Sequence, residues 1–308
     1  KLPIMLKSSI CILNQYQHIP HTLNGECYMD PGGYFIINGS EKTCLGQERA
    51  AENRVQCFNI TKNNNKWSWL AEIKSVPDNK CISPKQISLY IATKNNGFGC
   101  SIYLQIPRIK IPIPLFIVFR ALGVIQDKKI CEYIILDTES EDDKIKKLLL
   151  SLRASIVDAN DYLTKEDAIT YITQHVMYTP VNMDKETGRR KKLEFTNSIL
   201  SGDLFPHCKS DDQQKYFLGY MCNRLISCSL GFIPPDDRDS YINKRIDLTG
   251  TLLNNLFRNY FNKLVKDMTK QILREINNGS WRTKEDYISI INHTNIYKII
   301  KSTTIENG

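Results

Sequence analysis

The hydrophobic period of this chain changes once, near residue 140, from the two-residue repeat of strands to the three-to-four-residue repeat of helices. Upstream, short runs of β-formers are bounded by turn residues. Pro31-Gly32-Gly33 makes a turn, Tyr34-Phe35-Ile36-Ile37 a strand, and Asn38-Gly39 the two-residue turn whose positive φ angles suit a hairpin. The return run carries Cys44 and Leu45. Strand character recurs at Val55–Ile60, Trp67–Leu70, Ile87–Ile91 and Ser101–Ile106. Ile109 to Pro114 alternates but holds two prolines, which confine it to a sheet edge or exit.

Downstream, Ile145, Leu148, Leu149, Leu152 and Ile156 fall at helical spacing. Thr164-Lys165-Glu166-Asp167 has the form of a helix N-terminus before Ile169, Ile172 and Val176. The charged, Gly-containing stretch from Asp184 to Lys192 reads as a solvated loop. A helix is expected from Asp211 to Leu230, with Tyr216, Phe217, Tyr220, Met221 and Leu225 as its buried face, ended by Gly231 to Pro235. From Leu248 a long amphipathic helix is expected, with Lys263, Lys266, Lys270 and Arg274 mostly off its apolar face. Residues 241–308 hold eleven Lys or Arg against six Asp or Glu. That surplus suits either a solvated helix face or nucleic-acid contact. The pattern is α+β, with no repeat at periods of about 20–50 residues.

A length of 308 residues suggests about two domains, or one with a large insert. With 42% hydrophobic residues the chain can bury an ordinary core. The longest apolar stretch, Ile109 to Ile125, is broken by Lys110, Pro112, Pro114 and Arg120, so no bilayer span and no membrane partner are expected. Lys1-Leu2-Pro3-Ile4-Met5 lacks a signal-peptide core and an initiator Met, which reads as the start of a fragment. Ten cysteines without a Cys-x-x-Cys pair speak against structural zinc, and the expected state is reduced thiols in an intracellular compartment. Four glycosylation-like triplets, at Asn38, Asn59, Asn278 and Asn292, are of the kind that recurs by chance in an Asn-rich chain.

Enzyme signatures are missing: no Gly-x-x-x-x-Gly-Lys-Ser/Thr loop, no Gly-x-Gly-x-x-Gly, no His-Glu-x-x-His and no Gly-x-Ser-x-Gly. His18 and His21, with Cys11, Glu26 or Cys27, match no known metal-ligand spacing. Glu139, Glu141, Asp142 and Asp143 suit a divalent cation or, better, the negative first turn of a helix. The reading is therefore of no catalytic, cofactor-binding or metal-binding residues in this chain.

Two segments are more specific. One runs Gly33-Tyr34-Phe35-Ile36-Ile37-Asn38-Gly39-Ser40-Glu41-Lys42 and on to Gln47-Glu48-Arg49. The other is Asp236-Asp237-Arg238-Asp239-Ser240-Tyr241-Ile242-Asn243-Lys244-Arg245, before Leu248 and Gly250. Each is a turn or helix start dense in charge. Lys42, Arg49, Lys244 and Arg245 offer cations to phosphates, and Asp236, Asp237 and Asp239 can hold cations in orientation. Equally, the charges can pair with one another and hold two subdomains together.

Those segments, with Phe119-Arg120-Ala121-Leu122-Gly123, Phe217-Leu218-Gly219-Tyr220-Met221 and Asn223-Arg224-Leu225, occur in the order of a known family. The chain resembles the second-largest subunit of multisubunit DNA-directed RNA polymerases of eukaryotic, archaeal or large-DNA-virus type. The resemblance implies a β-rich protrusion (1–54), an inserted mixed α/β lobe (55–165), a return to the protrusion (166–212) and a helical fork (213–308). Relatives carry His and Gly where Ser240 and Ile242 stand here.

The resemblance further implies a cleft-wall portion of a nucleotidyltransferase that carries none of its chemistry, the Mg2+ of the whole enzyme being bound elsewhere. Implied partners are the largest and the smaller polymerase subunits, template and non-template DNA, and initiation factors. The implied nucleic-acid contacts are Lys42, Gln47, Arg49, Asp239, Lys244 and Arg245, with Asp239 able to accept from a base amino group or to pair with Lys244 or Arg245. Location follows source: a cytoplasmic virus factory or virion for a viral protein, the nucleus for a eukaryotic one. A free-standing interaction module of the same fold is the alternative to a polymerase subunit.

Overall fold

The computed structural model describes residues 3–16, 18–60, 65–77, 82–179 and 184–278. Cys81 and the triplet at Asn292 lie outside the described residues, as does part of the triplet at Asn278. The chain divides into two compact units, residues 1–49 with 245–308 and residues 50–244.

The first unit opens with two single-turn helices, α1 (Ile12–Gln15) and α2 (His21–Asn24), followed by the hairpin β1 (Phe35–Ile37) and β2 (Ser40–Lys42). Phe35 pairs with Lys42 and Ile37 with Ser40, so the connection is the two-residue turn Asn38-Gly39. Asn38 and Gly39 have φ of 51° and 76°, the left-handed pair that a type I′ turn demands. Strand β3 (Gln47–Ala50) then leads out of the unit.

The second unit is built on five antiparallel strands paired in chain order: β4 (Gln56–Asn59), β5 (Trp67–Ser75), β6 (Lys85–Asn95), β7 (Cys100–Gln105) and β8 (Ile113–Pro114). Alternation puts Ala71, Ile73, Ile87, Leu89, Ile102 and Leu104 in the core from one sheet face. The prolines do what their chemistry requires, limiting β8 to a two-residue edge strand. Six helices follow: α3 (Leu115–Ala121), α4 (Asp127–Ile135), α5 (Asp143–Val157), α6 (Lys165–Gln174), α7 (Lys185–Gly202) and α8 (Asp211–Ser229). Helix α8 packs on β4 and β5, while α3 and α5 pack on β7. Strand β9 (Lys244–Asp247), paired with β3, returns the chain to the first unit and to α9 (Thr249–Asn277).

The class is α+β, as expected. The expected cap is made, Thr164 accepting from the Asp167 N–H; in the acidic cluster Asp143 lies in the first turn of α5 and Asp142 caps it, accepting from the Lys144 N–H. Three expectations differ from the structure. Residues 184–192 are not a loop; Asp184 caps α7 by accepting from the Thr187 N–H, and the charged run is its first turns. In α8 the buried face is Leu218, Met221, Cys222, Leu225 and Ile226, whereas Tyr216 and Tyr220 are exposed.

The third difference is the onset of helix: α3 and α4 both precede residue 140. Within the second unit a single core runs from Val55 to Cys228. Ile109 bridges to Val176, and the buried Asp203 accepts from both Arg108 and Lys85. Ser75 Oγ lies 2.6 Å from His207 Nδ1. These contacts bind residues 166–212 to the sheet that residues 55–114 build.

Two of the sequence segments singled out above are structural. Arg120, 1% exposed, donates to the Ala159 and Tyr162 carbonyls and to Asp127, tying α3 to the start of α4 and the end of α5. Gly219 lies where α8 crosses the end of α4: a Cβ there would sit 2.0 Å from the Tyr133 carbonyl oxygen. Asn223, one turn on, donates to the Ile134 carbonyl at 2.9 Å. Gly219→Ala is expected to destabilise the fold by at least about 1–3 kcal/mol in denaturant titration. Gly202→Ala, with nothing within 4 Å of its Cβ, is expected to be neutral or to stabilise by up to about 1 kcal/mol.

Candidate nucleic-acid interface

The expected contact residues divide between the units. In the first, Lys42 ends β2 of the hairpin and is exposed, and Gln47 is exposed at the start of β3. Arg49, half-buried on the same strand, donates from Nε to Asp247 at 2.7 Å. For Arg49 the structure therefore shows internal pairing of the kind weighed against phosphate contact. Arg245 is exposed on β9 and also interacts within the chain. Gly46 runs close beside Ile246, its would-be Cβ 3.3 Å from that side chain, and Thr249 donates to the Cys44 carbonyl at 3.5 Å. These contacts seat the segment after the hairpin against the start of α9.

In the second unit, the Asp-Asp-Arg-Asp run is locked to the sheet by its first member. Asp236 receives both its oxygens' bonds from Arg224 Nη2 at 3.0 Å and one more from the Cys57 N–H at 2.9 Å. Its own N–H donates to the Cys57 carbonyl at 2.9 Å. This ties the loop to β4 and to α8 at one point. The Cys57 thiol beneath is pushed up to about 12, chiefly by burial, with Cys228 adding to the shift and Arg224 opposing it.

Beyond that anchor the loop is fixed by its backbone. Asp237 accepts from the Asp239 N–H, and its carbonyl accepts from the buried Asn243 side chain at 2.7 Å. Asn243 N–H donates to the Ser240 carbonyl, and the Ala51 N–H donates to the Asn243 carbonyl. The departures at Ser240 and Ile242 therefore leave the turn intact, because Ser240 closes it through its carbonyl and Ile242 faces outward. Asp239 is exposed. Lys244 is half-buried and has an interaction within the chain.

Sequence reasoning missed two features here. The Arg238 guanidinium sits over the Phe58 ring, its Cζ 4.2 Å from the centroid, and pairs with Glu72 at 3.2 Å. Arg54, just before β4, and Lys74, on β5, join Arg238 and Lys244 around a small cavity. The available signal was the strand alternation that puts Glu72 and Lys74 on the sheet face opposite Ala71 and Ile73. Among the described residues, no three His, Cys, Asp or Glu side chains converge as a metal site, and no helix is long and apolar enough to cross a membrane.

Residues 51–247 match the family model for RNA polymerase Rpb2, domain 2, nearly coincident with the second unit. The whole chain aligns with DNA-directed RNA polymerase II subunit 2 of Arabidopsis thaliana at 34% identity over 321 residues, covering 25% of that protein. Subunit RPB2 of Schizosaccharomyces pombe is 36% identical over 314 residues, again across the whole chain and 24% of the relative. Subunit 2 of the Acanthamoeba polyphaga mimivirus polymerase is 29% identical over 325 residues, with 25% of it covered. The chain thus spans about a quarter of the length of these curated relatives.

Replacing Asp236 by Asn should cost about 1–3 kcal/mol, the range for weakening a charge-assisted hydrogen-bond set at a half-buried site. It should also open Cys57 to alkylation. The measurement is a denaturant titration alongside iodoacetamide labelling of Cys57 at pH 8. An unchanged midpoint together with unchanged labelling would remove Asp236 as the anchor.

Proposed function

The chain belongs to the family of second subunits of multisubunit DNA-directed RNA polymerases, and from that premise we propose that it works in DNA-templated transcription as a wall of the polymerase's DNA cleft. On this reading it is part of a nucleotidyltransferase assembled with a largest subunit and smaller subunits. Its own work is electrostatic: it positions template and non-template DNA by their phosphates and offers surface to initiation factors. It supplies no catalytic residue.

The single observation that carries the reading is the alignment of the entire chain with polymerase second subunits from a plant, a fungus and a large DNA virus. The geometry supports it by what it leaves outward-facing. Lys42 stands exposed at the end of a hairpin whose turn is rigidly specified, and Gln47 and Arg245 are exposed on β3 and β9. Cations held on short, well-defined strands contact a phosphate with less loss of side-chain freedom than cations on a loop. Arg49, committed to Asp247, acts by holding β3 and β9 in place.

Lys42→Ala combined with Arg245→Ala in the full-length subunit, assembled in its polymerase, should weaken binding of a DNA bubble scaffold. The slope of log K against log salt should become shallower by about one unit for each phosphate that is no longer neutralised. A slope equal to that of the unaltered polymerase would remove the phosphate-contact assignment of these residues.

A further inference from the structure

The second unit holds a cavity of about 160 Å³ whose charge is unbalanced. Arg54, Lys74, Arg238 and Lys244 line it, with one carboxylate, Glu72, and the buried amide Gln56. Glu72 is engaged by Arg238 at 3.2 Å and receives a weaker bond from Gln86 at 3.4 Å. Lys244 has an interaction within the chain. Arg54 and Lys74 show no ion pair among the described residues. Cations lining one small cavity repel each other, and an anion between them relieves that repulsion.

Size narrows the anion. Ligand pockets for drug-sized molecules run to about 300–1,000 Å³, so this cavity takes a small group and leaves a nucleoside outside. The donors are of the right kind. Arg54 and Arg238 present planar guanidinium forks, Lys74 a point charge, and Gln56 a neutral amide, the set that surrounds a tetrahedral oxyanion rather than a planar base. Arg238 is pre-positioned: Phe58 supports its flat face, and the Asp236 anchor two residues earlier fixes the loop that carries it. A site built this way meets its ligand with little reorganisation.

We propose that this cavity is a phosphate-binding site, taking one phosphate group, or two adjacent ones, with Arg54 and Lys74 as its principal ligands and Arg238 recruited from Glu72. The chemistry is shared by a nucleic-acid backbone and by free pyrophosphate. The inference deepens the cleft-wall reading and rests on it, because the phosphate expected there is that of DNA held by the polymerase. Arg54 and Lys74 belong to no charged motif in the sequence; the fold alone brings them together.

The test uses the full-length subunit in its assembled polymerase, with EDTA present to silence metal-held phosphate sites. Arg54→Gln with Lys74→Gln should weaken binding of a DNA bubble scaffold and make the salt slope shallower by about one to two units. Arg54→Lys should restore most of that affinity. Glu72→Gln should act in the opposite sense and tighten binding, an outcome that misfolding does not produce. If the scaffold is bound unchanged but pyrophosphate protects Lys74 from amine acylation, and Arg54→Gln abolishes that protection, the site takes free phosphate. Unchanged scaffold binding with no protection of Lys74 would overturn the proposal. The Lys42→Ala and Arg245→Ala polymerase is titrated in parallel. If only the Arg54 and Lys74 variant is silent and Lys74 is not protected, this cavity fails; if both variants are silent, the cleft-wall reading fails as well.

Discussion

Asp236 is the point on which the geometry of the second unit's charged edge depends. Its carboxylate gathers Arg224 from α8 and the Cys57 N–H from β4, so a loop, a helix and a sheet edge meet at one side chain. With both Asp236 and Arg224 largely shielded from water, the pair is held where removal of either partner leaves a costly charge behind. The loop beyond, closed by Asn243 and Ser240, then delivers Arg238 to Phe58 and Glu72. The first unit repeats the device at smaller scale, where Arg49 and Asp247 join β3 to β9. In both places, charges that look like ligands in the sequence serve to fix other charges in position.

That division of labour gives physical meaning to the segments that recur in polymerase second subunits. Gly219 and Asn223 let α8 and α4 approach until backbone meets backbone. Arg120 replaces water for two carbonyls and a carboxylate in a helix with every residue buried. Arg120 and Gly219 are both buried and have no surface to offer a partner. Of the candidate contact residues, Lys42, Gln47, Asp239 and Arg245 are exposed, and a group of cations lines the Gln56 cavity.

The fold was legible in the sequence where local chemistry decides the outcome. Asn38-Gly39 specifies its turn through φ, Thr164 and Asp142 cap their helices, and the strands of the sheet announce themselves by alternation. It was hidden where tertiary packing decides. The apolar run that forms α3 has no period that separates a buried helix from a buried strand. The start of α7 is too charged to show an apolar stripe, and its helix is held by the cap at Asp184. Tyr216 and Tyr220 fall at helical spacing yet face outward, because the phase of α8 is set by Gly219 against Tyr133. The ion pairs of Asp203 with Arg108 and Lys85, which tie the end of α7 to the sheet, are revealed by no local pattern. For the interface, charge density pointed to the right segments but not to which charges are committed internally. Arg54 and Lys74 carry no motif, and only the pairing of β4 with β5 brings their neighbourhoods together.

The central claim is that exposed cations of this chain touch nucleic-acid phosphate in the assembled enzyme. Lysine footprinting tests it most directly: acylate the polymerase with and without a bound DNA bubble scaffold, and quantify modification of Lys42 by mass spectrometry. DNA is expected to protect Lys42, and the protection to fade as salt is raised. Equal modification of Lys42 with and without DNA at low salt would contradict the claim.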